Sequence, residues 1–121
     1  LGVCCTMSLT THVLDLSKGL PAKEVKIDLW RLNSDNRELL KTVHTNSDGR
    51  VDSPLLTREE TEVGQYELVF YVGGYLANGG KAEENAFLNE VPIRFGISNP
   101  ESHYHIPLLV APGGYSTYRG S

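Results

Sequence analysis

At 121 residues, 40% of them hydrophobic and 21% charged, the chain has room for one core and no second. Eleven Lys and Arg against fifteen Asp and Glu leave a formal net charge of −4, and no stretch clusters basic residues with aromatics, so the phosphate-neutralising face that nucleic acid requires is missing. No apolar run approaches the roughly 18 to 20 residues of a membrane-crossing helix, so neither nucleic acid nor membrane is expected as a partner.

The two cysteines, Cys4 and Cys5, are adjacent. Neighbouring cysteines rarely bridge each other, and a secreted framework would spread its cysteines over the fold, which points to a reducing compartment. Residues 1–7 fit none of the periodic pattern that follows and read as a disordered extension, with Met7 as a candidate natural start; residues 8–121 read as one domain.

From Ser8 onward the pattern is strand, turn, strand. Leu9 to Leu16 is a β-rich run closed by Lys18-Gly19-Leu20-Pro21, and Val25, Ile27 and Leu29 alternate with Lys26, Asp28 and Trp30. Leu39 to Thr45 leads into Asn46-Ser47-Asp48-Gly49, where the Asp-Gly pair predicts a tight hairpin with Val51 to Leu56 as the returning strand. Tyr66, Leu68, Phe70 and Val72 make the next stripe, ended by Gly73-Gly74, and Tyr75 to Glu84 has the composition of a short helix. Val91, Ile93, Phe95 and Ile97 form another period-2 stripe, followed by His103 to Val110 and Tyr115 to Tyr118 around Pro112-Gly113-Gly114. About eight short strands spaced by turns predict an antiparallel sandwich.

Alternation then sorts the titratable groups. In the strand from His103, the residues Tyr104, Ile106, Leu108 and Val110 share the core face, so His103 and His105 point outward, about 7 Å apart at roughly 3.4 Å per residue. If Val13 faces the core, His12 and Leu14 face out together, and an outward leucine suggests a subunit contact. Histidine is the side chain whose ordinary pKa suits proton transfer near neutrality, and Arg50 offers a permanent charge with paired N–H donors. His-x-His with a remote third histidine is a weak zinc pattern that no carboxylate spacing supports, so no metal and no cofactor is expected. A nucleophile elbow and a glycine-rich phosphate loop are both absent.

The segments Leu9-Thr10-Thr11-His12-Val13-Leu14-Asp15, Gly19-x-Pro21-Ala22, Thr45-Asn46-x-Asp48-Gly49-Arg50, His103-Tyr104-His105-Ile106-Pro107-Leu108-Leu109 and the terminal Tyr118-Arg119-Gly120-Ser121 resemble the transthyretin-like family, on its 5-hydroxyisourate hydrolase branch. The resemblance spans residues 8 to 121, and the terminal tetrapeptide separates the hydrolases from the carriers of the same fold. It implies a transthyretin-like (prealbumin) sandwich of two four-stranded antiparallel sheets with one short helix, and a homotetramer with active sites at the dimer-dimer interface. It also implies a small purine-derived substrate, 5-hydroxyisourate, whose ring amide is opened to 2-oxo-4-hydroxy-4-carboxy-5-ureidoimidazoline. The catalytic set carried over is His12, Arg50 and His105, with Ser121, Tyr118 and His103 as substrate-binding residues. The expected compartment is cytoplasmic, with peroxisomal as the alternative. The competing expectation is a carrier that holds a small apolar ligand in the tetramer channel, which would call for loss of these polar residues.

Overall fold

The computed structural model describes residues 7–77 and 86–120, which build two β-sheets packed face to face. In chain order the elements are β1 (Met7–Asp15), β2 (Leu20–Pro21), β3 (Lys26–Leu32), β4 (Arg37–His44), β5 (Leu56–Thr57), β6 (Gly64–Tyr71), α1 (Val72–Leu76), β7 (Glu90–Ile97), β8 (Tyr104–Ala111) and β9 (Gly114–Thr117). One sheet runs β2-β1-β8-β9 with β5 also on β1, and the other runs β4-β3-β6-β7. The sandwich with one short helix agrees with the sequence. Met7 already belongs to β1, one residue ahead of the expected domain start, and residues 1–6 lie outside the described residues.

The period-2 stripes explain the core. Val25, Ile27 and Leu29 of the β3 segment, Tyr66, Leu68 and Phe70 of β6, and Tyr104, Ile106, Leu108 and Val110 of β8 are buried together with Leu9 and Val13 of β1. Each strand lends every second side chain to the gap between the sheets, and burying a residue of this size stabilises by about 1.5–3 kcal/mol relative to leaving it in water.

Three expectations are corrected. The sheets are not wholly antiparallel, because β1 and β8 pair in parallel from Leu9 beside Tyr104 to Asp15 beside Val110. The Asp48-Gly49 turn does not make a hairpin. Gly49 has the positive φ of 76° that the dipeptide signalled, and its N–H donates to the Asn46 carbonyl at 2.9 Å. Its own carbonyl, however, accepts from Val13 N–H at 2.8 Å, which docks the turn on β1 instead of returning the chain along β4. The following residues cross to the other sheet, where Leu55 and Leu56 are buried and only Leu56–Thr57 is strand, paired with β1. Two adjacent leucines gain more by filling the gap under the sandwich than by extending a solvent-exposed edge.

The third correction concerns the helix, which occupies Val72–Leu76 and starts on the glycines expected to end the strand. Val72 is fully buried in the core, and Gly73 is packed so closely on Asn89 that a Cβ there would collide with the Asn89 amide. The glycine lets the first turn approach the strand that follows, so the chain coils directly out of β6. Residues 78–84 of the expected helix lie outside the described residues.

Candidate active site on the outer face of one sheet

The parallel register of β1 and β8 sets Thr10 beside His105 and His12 beside Pro107. Leu9, Thr11 and Val13 are buried, so Thr10, His12 and Leu14 face outward, as the alternation required once Val13 is placed in the core. His103 stands just before β8 and is exposed, while His105 is half-buried. The docked turn brings Arg50 to the same face. A cleft of about 410 Å³ is lined by Thr10, Arg50, Pro54, His103 and His105 among others.

The polar contacts on this face are specific, and His12 shares the face without being among the residues that line the cleft. Thr10 Oγ1 lies 2.8 Å from His105 Nδ1 and 3.3 Å from His103 Nε2. His12 Nε2 is 2.9 Å from the Asp48 carbonyl. A carbonyl only accepts, so this nitrogen of His12 carries a proton. The neighbouring Thr11 turns inward and donates to the Ile106 carbonyl at 2.6 Å, pinning the two strands that hold the imidazoles.

Burial, then the charge of Arg50 and the repulsion that His103 and His12 exert whenever they are protonated, hold the His105 imidazole below its ordinary value of 6.5. A cation in that place is both partly stripped of water and repelled by its neighbours, so the neutral ring is favoured. His105 is therefore neutral and basic at neutral pH, near the positive charge of Arg50.

The tail returns to β8 beside His105. Gly120 N–H donates to the His105 carbonyl at 2.7 Å, and the two residues form an isolated antiparallel bridge. A Cβ on Gly120 would stand 2.7 Å from His105 Cδ2, so glycine is what leaves the ring where it is. Arg119 reaches the His103 carbonyl at 3.3 Å and lays its guanidinium 4.3 Å from the centre of the Tyr104 ring.

Of the residues singled out in the sequence, His12, Arg50, His103 and His105 come to one face. Tyr118 does not join them; it is 60% exposed and lines a separate cavity of about 300 Å³ with Phe95, Tyr104 and Arg119. Ser121 lies outside the described residues. Sequence reasoning passed over Thr10 and Gly120. Thr10 shares the outward face of His12 by simple alternation, and that signal was available; the closeness of Gly120 to an imidazole ring was not. Among the described residues, no group of three His, Cys, Asp or Glu side chains is arranged to hold a metal ion.

A sandwich that carries histidines on an open sheet face, with an arginine brought to it by the loop after β4, is a small β-protein with polar chemistry at a sheet–loop cleft. The family model described as the HIUase/Transthyretin family matches residues 9–120, and the chain belongs to that family. It is 59% identical over 114 residues to 5-hydroxyisourate hydrolase 2 of Rhizobium meliloti (strain 1021), covering 93% of this chain and 95% of that protein. Among solved structures, an (S)-allantoin synthase aligns with a TM-score of 0.85 and 45% identity over 97% of this chain, and the chain spans 44% of that protein's length. Transthyretin from Sparus aurata aligns with a TM-score of 0.82 and 25% identity over 96% of this chain and 97% of the other.

Proposed function

We propose that the protein is a 5-hydroxyisourate hydrolase that opens the cyclic amide of its substrate with water. The observation that carries this reading is the single cleft in which Thr10, Arg50, His103 and His105 converge, in a chain 59% identical to a relative named for that activity. In the reaction the oxygen of water bonds to the ring carbonyl carbon while an imidazole takes its proton. The carbon–nitrogen bond of the amide then breaks, and the departing nitrogen takes a proton back. One water is added, no electrons are transferred, and the new carboxyl group on the ureidoimidazoline product releases one proton to solvent to become a carboxylate.

Each step has a side chain of the right type. The neutral ring of His105 suits removal of a proton from water near neutrality. Arg50 supplies a fixed positive charge for the tetrahedral oxyanion, or for a substrate already anionic in its ring. His12, its Nε2 committed to the Asp48 carbonyl, has its other ring nitrogen left to orient substrate or serve the leaving nitrogen. His103 and Ser121 are assigned to substrate binding, whereas Tyr118, which lines a separate cavity of this chain, is not; no metal or cofactor enters the scheme.

The same reading makes the protein a homotetramer whose outward sheet faces meet to close the clefts into shared channels. It acts in the cytoplasm, or in a peroxisome if the source cell has one. A carrier of apolar ligands would need this face to be apolar, whereas Thr10, His12, His103 and His105 occupy it. The test is the decay of freshly generated 5-hydroxyisourate, followed optically with and without the protein. Acceleration that saturates with substrate is expected; a rate equal to the spontaneous one would remove the hydrolase reading.

A further inference from the structure

Thr10 sits between the two outward imidazoles of β8, with Oγ1 at 2.8 Å from His105 Nδ1 and 3.3 Å from His103 Nε2. A hydroxyl has one proton to give and two lone pairs with which to accept. Placed between two neutral imidazole nitrogens, it makes both hydrogen bonds either by donating to one and accepting from the other, or by accepting from an N–H of each.

Three arrangements follow: two pass the threonine proton to one of the rings, and in the third both rings donate to Thr10, which also leaves His105 Nε2 as the lone-pair nitrogen. In the first, His103 Nε2–H donates to Thr10 and Thr10 donates to His105 Nδ1. The His105 proton then resides on Nε2, and the ring has no lone pair left for the cleft. In the second, His105 Nδ1–H donates to Thr10, and the threonine proton goes to the lone pair of His103 Nε2. His105 Nε2 is then the free, basic nitrogen, on the side of the ring away from Thr10.

Other features hold the ring in register for this exchange. Thr10 and His105 are direct partners in the parallel ladder, the inward Thr11 ties β1 to the Ile106 carbonyl, and Gly120 leaves room for the imidazole while bonding its main chain. Among the described residues, Nδ1 is the ring nitrogen of His105 that has a partner. A second group that sets the tautomer of a proton-transferring histidine is a general requirement of such chemistry, because the wrong tautomer presents N–H where a lone pair is needed.

We propose that Thr10 is a positioning residue that holds His105 as its Nδ1–H tautomer, with His103 as the terminal acceptor of a three-group chain, so that Nε2 of His105 is the proton acceptor. Both the tautomer and the role of Nε2 as base rest on the hydrolase reading above, because the need for a proton-accepting Nε2 is what selects Nδ1–H; the tautomer itself is read by NMR independently of activity. The three-group chain also gives His103 a part distinct from direct substrate binding.

The test combines ring-nitrogen NMR of histidine-labelled protein with steady-state kinetics of wild type, Thr10→Val and Thr10→Ser. Valine keeps the β-branched shape and removes the hydroxyl; Thr10→Ala is a second hydroxyl-free variant should valine disturb folding. In the wild type, His105 is expected to show a protonated Nδ1 and an unprotonated Nε2 above its pKa. Without the hydroxyl the ring should shift toward the Nε2–H tautomer, and kcat should fall about 10-fold or more at nearly constant KM, the signature of a group used in the transition state. Thr10→Ser should restore both readouts. A wild-type His105 protonated on Nε2, or hydroxyl-free variants with unchanged tautomer and kcat, would overturn the proposal. If the wild type fails to accelerate hydrolysis at all, the hydrolase reading falls, and the NMR comparison still decides whether Thr10 sets the tautomer.

Discussion

Replacing Gly120 by alanine is the sharpest perturbation of the site, because it adds one methyl group and touches no core residue. That methyl would lie 2.7 Å from His105 Cδ2, 3.3 Å from Cγ and 3.4 Å from Cβ. Gly120 is not among the positive-φ residues, so the backbone itself accepts alanine and the effect is purely one of space. Moving the nearest contact from 2.7 Å to an ordinary 3.4 Å requires about 0.7 Å of displacement. Misplacing a reacting group by about 1 Å costs about 10²-fold in rate, or about 2.7 kcal/mol at the transition state. If the tail yields and the ring stays, the Gly120 to His105 main-chain bond of 2.7 Å is lost. That costs about 0.5–1.5 kcal/mol locally and frees the β8 main chain at His105. Either way, turnover of 5-hydroxyisourate should fall by about 10-fold to 100-fold, while the melting temperature changes little because both sheets are intact. Initial rates corrected for spontaneous decay, measured beside thermal melts, decide it. A Gly120→Ala protein with wild-type kcat/KM would refute the claim that the tail positions His105.

Truncating His12, Arg50 or His105 to alanine should each lower turnover by about 10² to 10⁴, since all three face outward, with melts close to wild type. The acid limb of kcat/KM should fall below the ordinary imidazole value of 6.5: His105 is active when neutral, its pKa is lowered, and activity is lost as pH falls through that lowered value. Arg50→Gln removes a repelling charge, so the His105 pKa followed by NMR titration should rise; a lower value would contradict the electrostatic account. Leu14 and Leu109 are ladder partners, and Leu14 shares the outward face of His12. Leu14→Glu should therefore weaken assembly, and light scattering that still reports about four chains for the variant would count against a shared channel on this face.

The alternation of apolar residues was enough to call a β-sandwich and to name its core stripes, since a strand that buries one face must repeat every second residue. The same rule turned His103 and His105 outward, and it made the direction of His12 depend only on where Val13 points. Composition and motif spacing carried no information about the partner of a strand. The Asp48-Gly49 dipeptide specified a turn with a positive φ, yet the main-chain bond from Val13 to Gly49 decided that the turn docks on β1 and brings Arg50 to the histidine face. The glycines after β6 looked like a strand end because glycine weakens both strand and helix; burial of Val72 and the tight packing of Gly73 on Asn89 made them the first turn of α1.

What the sequence by itself determined is therefore local: which residues can be strand, which faces are apolar, and which side chains carry the chemistry. What only the tertiary structure decided is the parallel pairing of β1 with β8, which puts Thr10 beside His105 across 95 residues of chain, and the return of the tail, which lays Gly120 against the same ring. The physical reason is that periodicity reports the environment of each residue, while pairing between distant segments is settled by how both sheets jointly fill one core.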